Sequence, residues 1–336
     1  MATNFWATLK KPILALAPME GVTDLAFRTL CHEQGADVVY TEFVAAEAII
    51  HGGKSVLAKL RHHDAERPVI CQIFGTSPEA FAVAAEKVQA MGFDGIDLNF
   101  GCPARKVVGR GAGVALLREP SYARQLIEAS LEKISIPLSI KVRSSIRKES
   151  KDVAHTNERS TALDLVEAIH DLPVRAIMVH GRGFEQGHQG DVDTAMIRAV
   201  KERFHGLVLA NGGITTPEHV QSMLAETGAD GVGIARGSWG QPWIFRQARQ
   251  LLEQGSYDAV TQQHIADVIR RHATLLFEQK DAHGLLEFRK HFGRYIVGFP
   301  GAAALRARAV RVETLADVEG LITDIINRGR TSEYTA

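Results

Sequence analysis

The sequence predicts an α/β protein, a (β/α)8 barrel followed by a small all-helical C-terminal domain. Short apolar runs recur along the first three quarters of the chain, and segments with helical spacing separate them. Strands that alternate with helices indicate parallel pairing through right-handed crossovers. Eight such units close naturally into a barrel. An open doubly wound sheet is the alternative, but no Gly-x-Gly-x-x-Gly motif follows the first run.

The eight predicted strands are short apolar runs bounded by polar or glycine residues. They are Ile13–Ala17, Val38–Thr41, Val69–Ile73, Gly95–Leu98, Leu138–Val142, Ala176–His180, Leu207–Ala210 and Gly231–Ile234. Between them, Asp24, Ser77 and Thr216 carry side chains that favour the start of a helix. Proline follows Ser77 and Thr216 at the first helical position, where its missing N–H costs no hydrogen bond. These signals predict helices that begin at residues 24, 77 and 216.

Beyond about Trp243 the pattern changes. From Ile244 to Ile326 the sequence shows helical spacing and no strand-like run. We therefore divide the chain into a barrel domain over residues 1–245 and a helical domain over residues 246–336.

Composition restricts the cellular setting. The chain has 336 residues, of which 45% are hydrophobic and 23% charged, as in an ordinary globular protein. No run of about 18 apolar residues and no secretory signal is visible, so we expect a cytoplasmic protein without a membrane span. Three scattered cysteines argue against disulfides and metal sites. The formal net charge is zero, so a nucleic-acid partner would need a local basic face.

Polar and glycine residues follow nearly every predicted strand. Because the loops after the strands form the open face of such a barrel, these residues should meet at one rim. They are Pro18-Met19-Glu20-Gly21, Gln72, Asn99 to Pro103, Lys141, Arg143, His180-Gly181-Arg182, Asn211-Gly212-Gly213 and Ala235-Arg236-Gly237. A single strand could end this way merely on leaving the core, but convergence of all of them favours a site.

The last two strand ends predict a phosphate site. Asn211-Gly212-Gly213 and Ala235-Arg236-Gly237 offer small residues with free N–H groups after strands seven and eight, where this fold usually binds phosphate. Arg236 could clamp the phosphate with two parallel hydrogen bonds. The pattern does not specify which phosphate-bearing ligand is bound, and ordinary turn glycines are the alternative.

Two further residues suit a flavin. Lys141 ends an apolar strand, where an ammonium is costly without a negative partner, and it could stabilise the anionic edge of a reduced flavin. Gln72 offers a donor and an acceptor to a pyrimidine-like edge. Each, taken alone, could be a rim residue with its hydrogen bonds satisfied.

Cys102 is the candidate catalytic residue. It lies in a glycine-rich segment, Gly101 to Arg118, which could close over a substrate, whereas Cys31 and Cys71 fall within core patterns. A thiol is a competent proton donor near neutral pH. A cysteine nucleophile with His180 as its base is the competing interpretation, but it leaves the phosphate site and Lys141 unexplained.

Together these segments resemble the tRNA-dihydrouridine synthases, which are FMN-dependent. The resemblance rests on Pro18 to Asp24, Thr41-Glu42-Phe43, Asp97 to Pro103, Lys141-Val142-Arg143, Val179 to Arg182 and Ala210 to Ile214. It spans roughly Ile13 to Phe245 and continues in Arg289-Lys290-His291 and Gly298 to Gly301. The Asn-x-Gly-Cys-Pro stretch is its most specific part.

The resemblance implies an FMN site, with NADPH as the reductant. The implied FMN-binding residues, with the adjoining Glu20 and Gly212, are Pro18, Met19, Glu20, Gln72, Lys141, His180, Asn211, Gly212, Gly213, Ala235 and Arg236. Hydride would pass from flavin N5 to uracil C6, and Cys102 would protonate C5. Asn99 would contact the base, and Arg143, Arg182 and Lys106 are further candidate substrate contacts.

The sequence departs from the family pattern at three places. His188 stands where family members often have tyrosine, Thr194 replaces a common tryptophan, and the connection Ser144 to Arg159 is long and highly charged. These differences affect the expected shape of the base pocket and leave the reaction unchanged.

A tRNA substrate requires a basic surface, since a base in folded RNA must be turned out into the pocket. The tail supplies Arg289, Lys290, Arg294, Arg306, Arg308 and Arg311, and Arg105, Lys106 and Arg110 lie close to Cys102 in sequence. Three alternatives remain: a dihydroorotate-dehydrogenase-like enzyme acting on a free pyrimidine, a non-catalytic tRNA-binding protein, and a phosphate-sugar isomerase barrel without flavin. The sequence does not identify the modified uridine, and a monomer is our default expectation.

Overall fold

The computed structural model describes residues 4–148 and 158–328. Its strands are β1 (Ile13–Leu16), β2 (Val38–Tyr40), β3 (Val44–Ala45), β4 (Val69–Phe74), β5 (Gly95–Phe100), β6 (Leu138–Arg143), β7 (Ser145–Arg147), β8 (Arg159–Thr161), β9 (Ala176–His180), β10 (Leu207–Asn211) and β11 (Gly231–Ile234). Strands β1, β2, β4, β5, β6, β9, β10 and β11 pair in parallel around a ring that closes between β2 and β4. The predicted barrel is therefore confirmed, and the open sheet is excluded.

Thirteen helices accompany these strands within the described residues. They are α1 (Leu25–Glu33), α2 (Ala46–His51), α3 (Lys54–Lys59), α4 (Pro78–Ala90), α5 (Arg105–Val108), α6 (Pro120–Leu131), α7 (Ala162–Ala168), α8 (Thr194–Arg203), α9 (Pro217–Thr227), α10 (Ile244–Gln254), α11 (Gln262–Tyr295), α12 (Ala302–Ala309) and α13 (Leu315–Arg328). The predicted starts are confirmed, because Asp24, Ser77 and Thr216 each accept a hydrogen bond from a backbone N–H three residues on.

The interior of the barrel changes from apolar to polar along its axis. Toward the amino ends of the strands, the inward side chains form a buried apolar cluster that includes Ile13, Tyr40 and Met178 and is covered by Trp6. Packing there is tight: a Cβ added to Gly233 would lie 2.5 Å from the sulfur of Met178. The polar inward positions lie at the opposite, carboxyl end, so the apolar layers form a floor beneath them.

Helix α10 packs on the barrel, where Arg249 donates to the carboxylate of Asp37 at 2.6 Å and to the carbonyl of Pro12 at 3.0 Å. These contacts place α10 against the barrel, and the division of the chain between residues 245 and 246 stays a prediction. The spacing of α10 alone does not distinguish it from the helices of the tail.

The tail packs against the first barrel helix. Helix α11 is interrupted at Asp281, whose φ is 52°, and its two halves contribute His272 and His291 to a buried cluster. Phe27 of α1 lies 5.6 Å and 5.7 Å from these two rings, centroid to centroid. An ion pair between Arg271 and Glu33 at 2.6 Å adds a polar contact at the edge. No described helix is long and apolar enough to span a bilayer.

Two small elements were not predicted. Strand β3 extends the sheet beside β4, and β7 pairs with β8 in an antiparallel hairpin. The hairpin forms the two ends of the charged connection Ser144 to Arg159, whose residues 149–157 lie outside the described part of the chain.

Candidate active site

Five of the predicted site residues converge at the carboxyl end of the barrel. Gln72 lies in the second half of β4, Asn99 in that of β5 and Lys141 in that of β6, whereas His180 and Asn211 are the last residues of β9 and β10. Strand register aligns Asn99 with Lys141 and Asn211 with His180. His180 is also in register with Arg143, and Gln72 is in register with Asp97, so the five side chains lie at successive levels near the mouth.

Two residues before Asn99 on β5 lies a buried carboxylate, Asp97, which is 0% exposed. Its two oxygens accept hydrogen bonds from Gln72 Nε2 and Ser139 Oγ, both at 2.7 Å. Burial raises the pKa of Asp97 to about 6, against the opposing effects of these two bonds and of Lys141. Asp97 was not predicted as a site residue, although a charge on the inward face of an otherwise apolar strand is a usable signal.

The hydrogen bonds continue upward from Gln72 to the loop of Cys102. Asn99 Nδ2 donates to Gln72 Oε1 at 2.9 Å. Asn99 Oδ1 in turn accepts from the backbone N–H groups of Gly101 at 3.1 Å and Cys102 at 2.9 Å. One N–H of the Asn99 amide has no partner in this network and could donate to a bound ligand.

Cys102 is the one partly exposed cysteine, whereas Cys31 and Cys71 are buried. Burial raises the pKa of the Cys102 thiol, and the nearby cations Lys141 and Arg143 oppose that rise. The thiol therefore keeps its proton at neutral pH, as a proton donor must.

The segment after Cys102 is only partly free to move. Gly113, with a φ of 63°, lies so close to the Cys102 carbonyl that an added Cβ would sit 2.7 Å from its oxygen. Residues 113–117 are buried in a 3-10 turn. The second half of the predicted lid, Gly101 to Arg118, is therefore packed against the protein. In the first half, α5 is exposed at Arg105 and Lys106.

Lys141 points across the mouth toward β10. Its Nζ donates to Asn211 Oδ1 at 3.3 Å, and Asn211 Nδ2 donates to the carbonyl of Gly233 at 2.6 Å. Burial, followed by the charge of Arg143, lowers the pKa of Lys141 to about 8. An anionic ligand at the mouth would reverse this shift by stabilising the ammonium form.

A second cationic group surrounds Gly212 and Gly213. Both glycines have positive φ values, 115° and 72°, that other residues rarely adopt. Arg182 Nη2 lies 3.9 Å from the position of a Cβ on Gly213, and Arg182 Nη1 is buried without a described partner. Burial and the charge of Arg236 lower the pKa of Arg182. Two neighbouring guanidinium groups at a glycine turn suit an anion such as phosphate.

His180 is buried between Lys141 and the cationic group at Gly212 and Gly213. Burial, and then the charges of Lys141 and Arg143, hold its pKa far below the ordinary range, so the imidazole is neutral at physiological pH. The ring of His188 is 6.4 Å away, centroid to centroid, at the outer edge of the mouth. A neutral imidazole can donate one hydrogen bond without adding charge.

The remaining predicted residues occupy more peripheral positions. Arg143 is 1% exposed and donates to backbone carbonyls, among them Gly101 at 3.1 Å and Gly187 at 2.8 Å. These bonds tie two mouth loops together, and its contact with a substrate stays a prediction. Glu20 forms an ion pair with Lys59 at the rim. Pro18 and Met19 are partly buried after β1, and Ala235 is partly buried after β11.

A cavity of about 460 Å³ lies beside the mouth, between the β7–β8 hairpin and the loop after β9. In its lining, Arg159 pairs with Glu185, whose carboxylate also accepts from the backbone N–H of Arg147. Within residues 4–148 and 158–328, no three His, Cys, Asp or Glu side chains are grouped to hold a metal ion.

Fold and site together define a class: a parallel (β/α)8 barrel enzyme whose mouth presents cations, a glycine turn and a protonated thiol. The family model described as dihydrouridine synthase matches residues 15–328. The chain belongs to the dihydrouridine synthase family.

Relatives agree with this assignment. The chain is 35% identical over 299 residues to a probable tRNA-dihydrouridine synthase of Rickettsia conorii, covering 87% of each protein. It is 34% identical over 298 residues to tRNA-dihydrouridine synthase B of Pseudomonas putida, covering 88% of this chain and 86% of the relative.

Solved structures of lower identity share the fold. Histamine dehydrogenase from Rhizobium sp. 4-9 superposes with a TM-score of 0.54 at 13% identity, over 95% of this chain and 62% of that one. Morphinone reductase in complex with tetrahydroNAD gives a TM-score of 0.50 at 12% identity, over 77% and 92%. This chain thus spans less than two thirds of the histamine dehydrogenase.

Proposed function

We propose that this protein is a tRNA-dihydrouridine synthase that binds FMN, is reduced by NADPH and saturates the C5=C6 bond of a uridine in tRNA. The observation that carries the proposal is the position of Cys102, a partly exposed, protonated thiol held by Asn99 at a cationic barrel mouth. Family membership and relatives of the same named activity support it.

The residues present fit FMN. The glycine turn at Gly212 and Gly213, the unpartnered Arg182 Nη1 and the exposed Arg236 suit its phosphate. Lys141, whose pKa is lowered by burial and Arg143, would gain a negative partner in the ring. The residues proposed to hold FMN are Pro18, Met19, Glu20, Gln72, Lys141, His180, Asn211, Gly212, Gly213, Ala235 and Arg236.

Within this proposal, Arg182 binds the cofactor and not the substrate. Its position beside Gly213 and Arg236 suits the cofactor phosphate better than the substrate contact that the sequence suggested. Its Nε already donates to the carbonyl of Gly190 at 2.7 Å, which holds the guanidinium at the turn.

The protein's own residues bind the base and supply the proton. When bound, FMN supplies the hydride that adds to C6 of the uracil. Asn99 offers its remaining amide N–H to a base carbonyl, and Cys102 gives its proton to C5. Both side chains lie above the apolar floor of the barrel, which keeps water away from the site from below.

The tRNA partner would bind through exposed cations on two surfaces. Arg105, Lys106 and Arg110 are exposed directly after Cys102. In the tail, Lys290, Arg306 and Arg311 are exposed and make no ion pair among the described residues, whereas Arg308 pairs with Asp324. Phosphate contacts of this kind supply affinity without base specificity. A monomeric state, a cytoplasmic location and a preference for NADPH over NADH stay predictions.

The test is reduction of unmodified tRNA. Purified protein should show flavin absorbance and convert uridine to dihydrouridine in tRNA from a strain lacking this gene, with NADPH as reductant. Mass spectrometry of digested tRNA would give the position. Protein without flavin absorbance would favour the isomerase alternative, and activity on free orotate but not on tRNA would favour the dihydroorotate-dehydrogenase-like one.

A further inference from the structure

Two side-chain amides, those of Gln72 and Asn99, connect the buried carboxylate of Asp97 to the loop that carries Cys102 through four hydrogen bonds. Asp97 accepts from Gln72, Gln72 accepts from Asn99, and Asn99 accepts from the N–H groups of Gly101 and Cys102. We propose that Asp97 is a positioning residue that fixes the direction of this chain of hydrogen bonds and thereby the place of Cys102. The inference rests on the proposed role of Cys102 as the proton donor.

The direction follows from donor and acceptor chemistry. An ionised carboxylate can only accept, so Gln72 must turn its NH2 group toward Asp97 and its oxygen toward Asn99. Asn99 must then turn its NH2 group toward Gln72, which leaves its oxygen facing the loop. That oxygen is the acceptor that two loop N–H groups require.

The opposite direction would break the loop contact. If Gln72 were flipped, its NH2 group would face Asn99, and Asn99 would turn its oxygen toward Gln72. The NH2 group of Asn99 would then face the N–H groups of Gly101 and Cys102, so that donor meets donor. Buried polar groups without partners are costly, and the loop would move to recover them.

The charge of nearby Lys141 offsets part of the cost of burying Asp97, but it does not explain the hydrogen bond to Gln72. Asp97 is 0% exposed, so it cannot contact tRNA directly, and an unneeded buried charge is strongly unfavourable. Ser139 Oγ holds the second oxygen at 2.7 Å from the neighbouring strand. A carboxylate clamped from both sides is a fixed acceptor on which the amide chain can be oriented.

The first experiment compares Asp97→Asn with Ser139→Ala in the FMN-loaded protein. Asparagine at 97 can donate to Gln72, so the chain loses its preferred direction, whereas Ser139→Ala leaves the carboxylate accepting from Gln72. Amide hydrogen exchange at Gly101 and Cys102 should become about fivefold faster in Asp97→Asn and stay near the wild-type rate in Ser139→Ala. Exchange at Ile96 and Leu98 reports whether β5 itself is intact.

A second experiment moves the carboxylate from position 97 to position 72 and should thereby restore the direction of the hydrogen bonds. In the double variant Gln72→Glu with Asp97→Asn, the asparagine donates to the new carboxylate, which accepts from Asn99 on its other oxygen. The Asn99 oxygen again faces the loop, so exchange at Gly101 and Cys102 should return toward the wild-type rate. This readout does not require an active enzyme, which matters because Gln72 is also a proposed FMN contact.

Two results would overturn the inference. One is wild-type exchange at both loop amides in Asp97→Asn; the other is fast exchange that the double variant leaves uncorrected. Dihydrouridine formation by the wild-type protein is measured separately. If the wild-type protein makes none, the proposed function fails, and the exchange results still decide whether Asp97 orients the loop. If it does make dihydrouridine, Asp97→Asn should be slower about tenfold, as expected for a misplaced acid.

Discussion

Lys141 on β6 and Asn211 on β10 meet across the barrel mouth, with Nζ donating to Oδ1 at 3.3 Å. The amide of Asn211 is itself oriented, because its NH2 group donates to the carbonyl of Gly233 at 2.6 Å. A fixed amide oxygen therefore holds the ammonium over the mouth, although burial and Arg143 lower the pKa of Lys141 to about 8. The Lys141 ammonium is therefore positioned to bind an anionic ligand.

This arrangement predicts that FMN affinity is pH-dependent. Below the pKa of about 8 the ammonium is present and affinity should be constant, whereas above it the proton must be taken up on binding and affinity should fall about tenfold per pH unit. Lys141→Met should remove this decline and bind more weakly at pH 7. Fluorescence titration of FMN from pH 6.5 to 9.5 measures both effects, and the exposed Lys133→Met is the control. A decline that persists in Lys141→Met would assign it to another group.

Cys102→Ala should separate cofactor chemistry from product formation. We expect the variant to bind FMN and oxidise NADPH normally but to form dihydrouridine about 100-fold to 10,000-fold more slowly, as when a general acid is lost. Cys71→Ala is the matched control, since that thiol is buried on β4. Stopped-flow reduction by NADPH and mass spectrometry of the tRNA give the two rates. Full product formation by Cys102→Ala would remove the assignment of the acid.

Much of this site could be predicted because its polar residues interrupt apolar strands, as Lys141 and Gln72 do. The hydrogen bonds of Asp97 could not, since they join strands β4, β5 and β6 that are far apart in sequence. Arg143 shows the same limit: its position at a strand end suggested a substrate contact, and only the fold reveals its bonds to two loops.

The fold was predictable to a similar degree. The spacing of apolar residues defines the eight barrel strands. Capping residues such as Ser77 mark the starts of helices, and both signals lie within a few neighbouring residues. The place of α10 depends on tertiary contacts such as Arg249 with Asp37, which no local pattern encodes. Two-residue β3 is too short to produce a pattern of its own.

The glycine turn gives a prediction with a matched control. Gly212 and Gly228 both have positive φ, but an added Cβ would lie 2.7 Å from His180 Cδ2 at Gly212 and meet nothing within 4 Å at Gly228. Both alanine variants should lose about 1 kcal/mol of stability. Gly212→Ala alone should also lose FMN during purification, because His180 and the turn must shift. Flavin-to-protein absorbance ratios test this, and equal retention in the two variants would argue against a phosphate site at the turn.

The tail predicts a salt-dependent contribution to tRNA binding. Arg308 is unsuitable for the test, because it pairs with Asp324 and its reversal would disturb α13. Arg306→Glu with Arg311→Glu should weaken tRNA binding at least tenfold and reduce the slope of log affinity against log salt by about 2. FMN content should not change. Arg203→Glu, on barrel helix α8, is the control, and tRNA affinity equal to the wild type would exclude this face.

The buried histidines between tail and barrel predict acid sensitivity. His272 shares a hydrogen bond with Tyr295 Oη at 2.8 Å, and its Nε2 is buried without a described partner. Burial lowers its pKa to about 4, from an ordinary value of 6.5. In the unfolded chain His272 therefore binds a proton below about pH 6.5, whereas in the folded protein it binds one only below about pH 4. Stability should be full above pH 6.5 and fall as the pH decreases between these two values.

For His272 alone the loss between pH 7 and pH 5 should be about 2 kcal/mol, measured by urea unfolding. His291 adds to it, because burial and the nearby ring of His272 lower its pKa as well. His272→Phe should reduce the difference between the two pH values even if it lowers stability at both. The exposed His283→Gln should leave that difference unchanged. A difference that is the same in His272→Phe and the wild type would mean that the acid sensitivity arises elsewhere, since the pH dependence, unlike the absolute stability, reports only on groups that titrate.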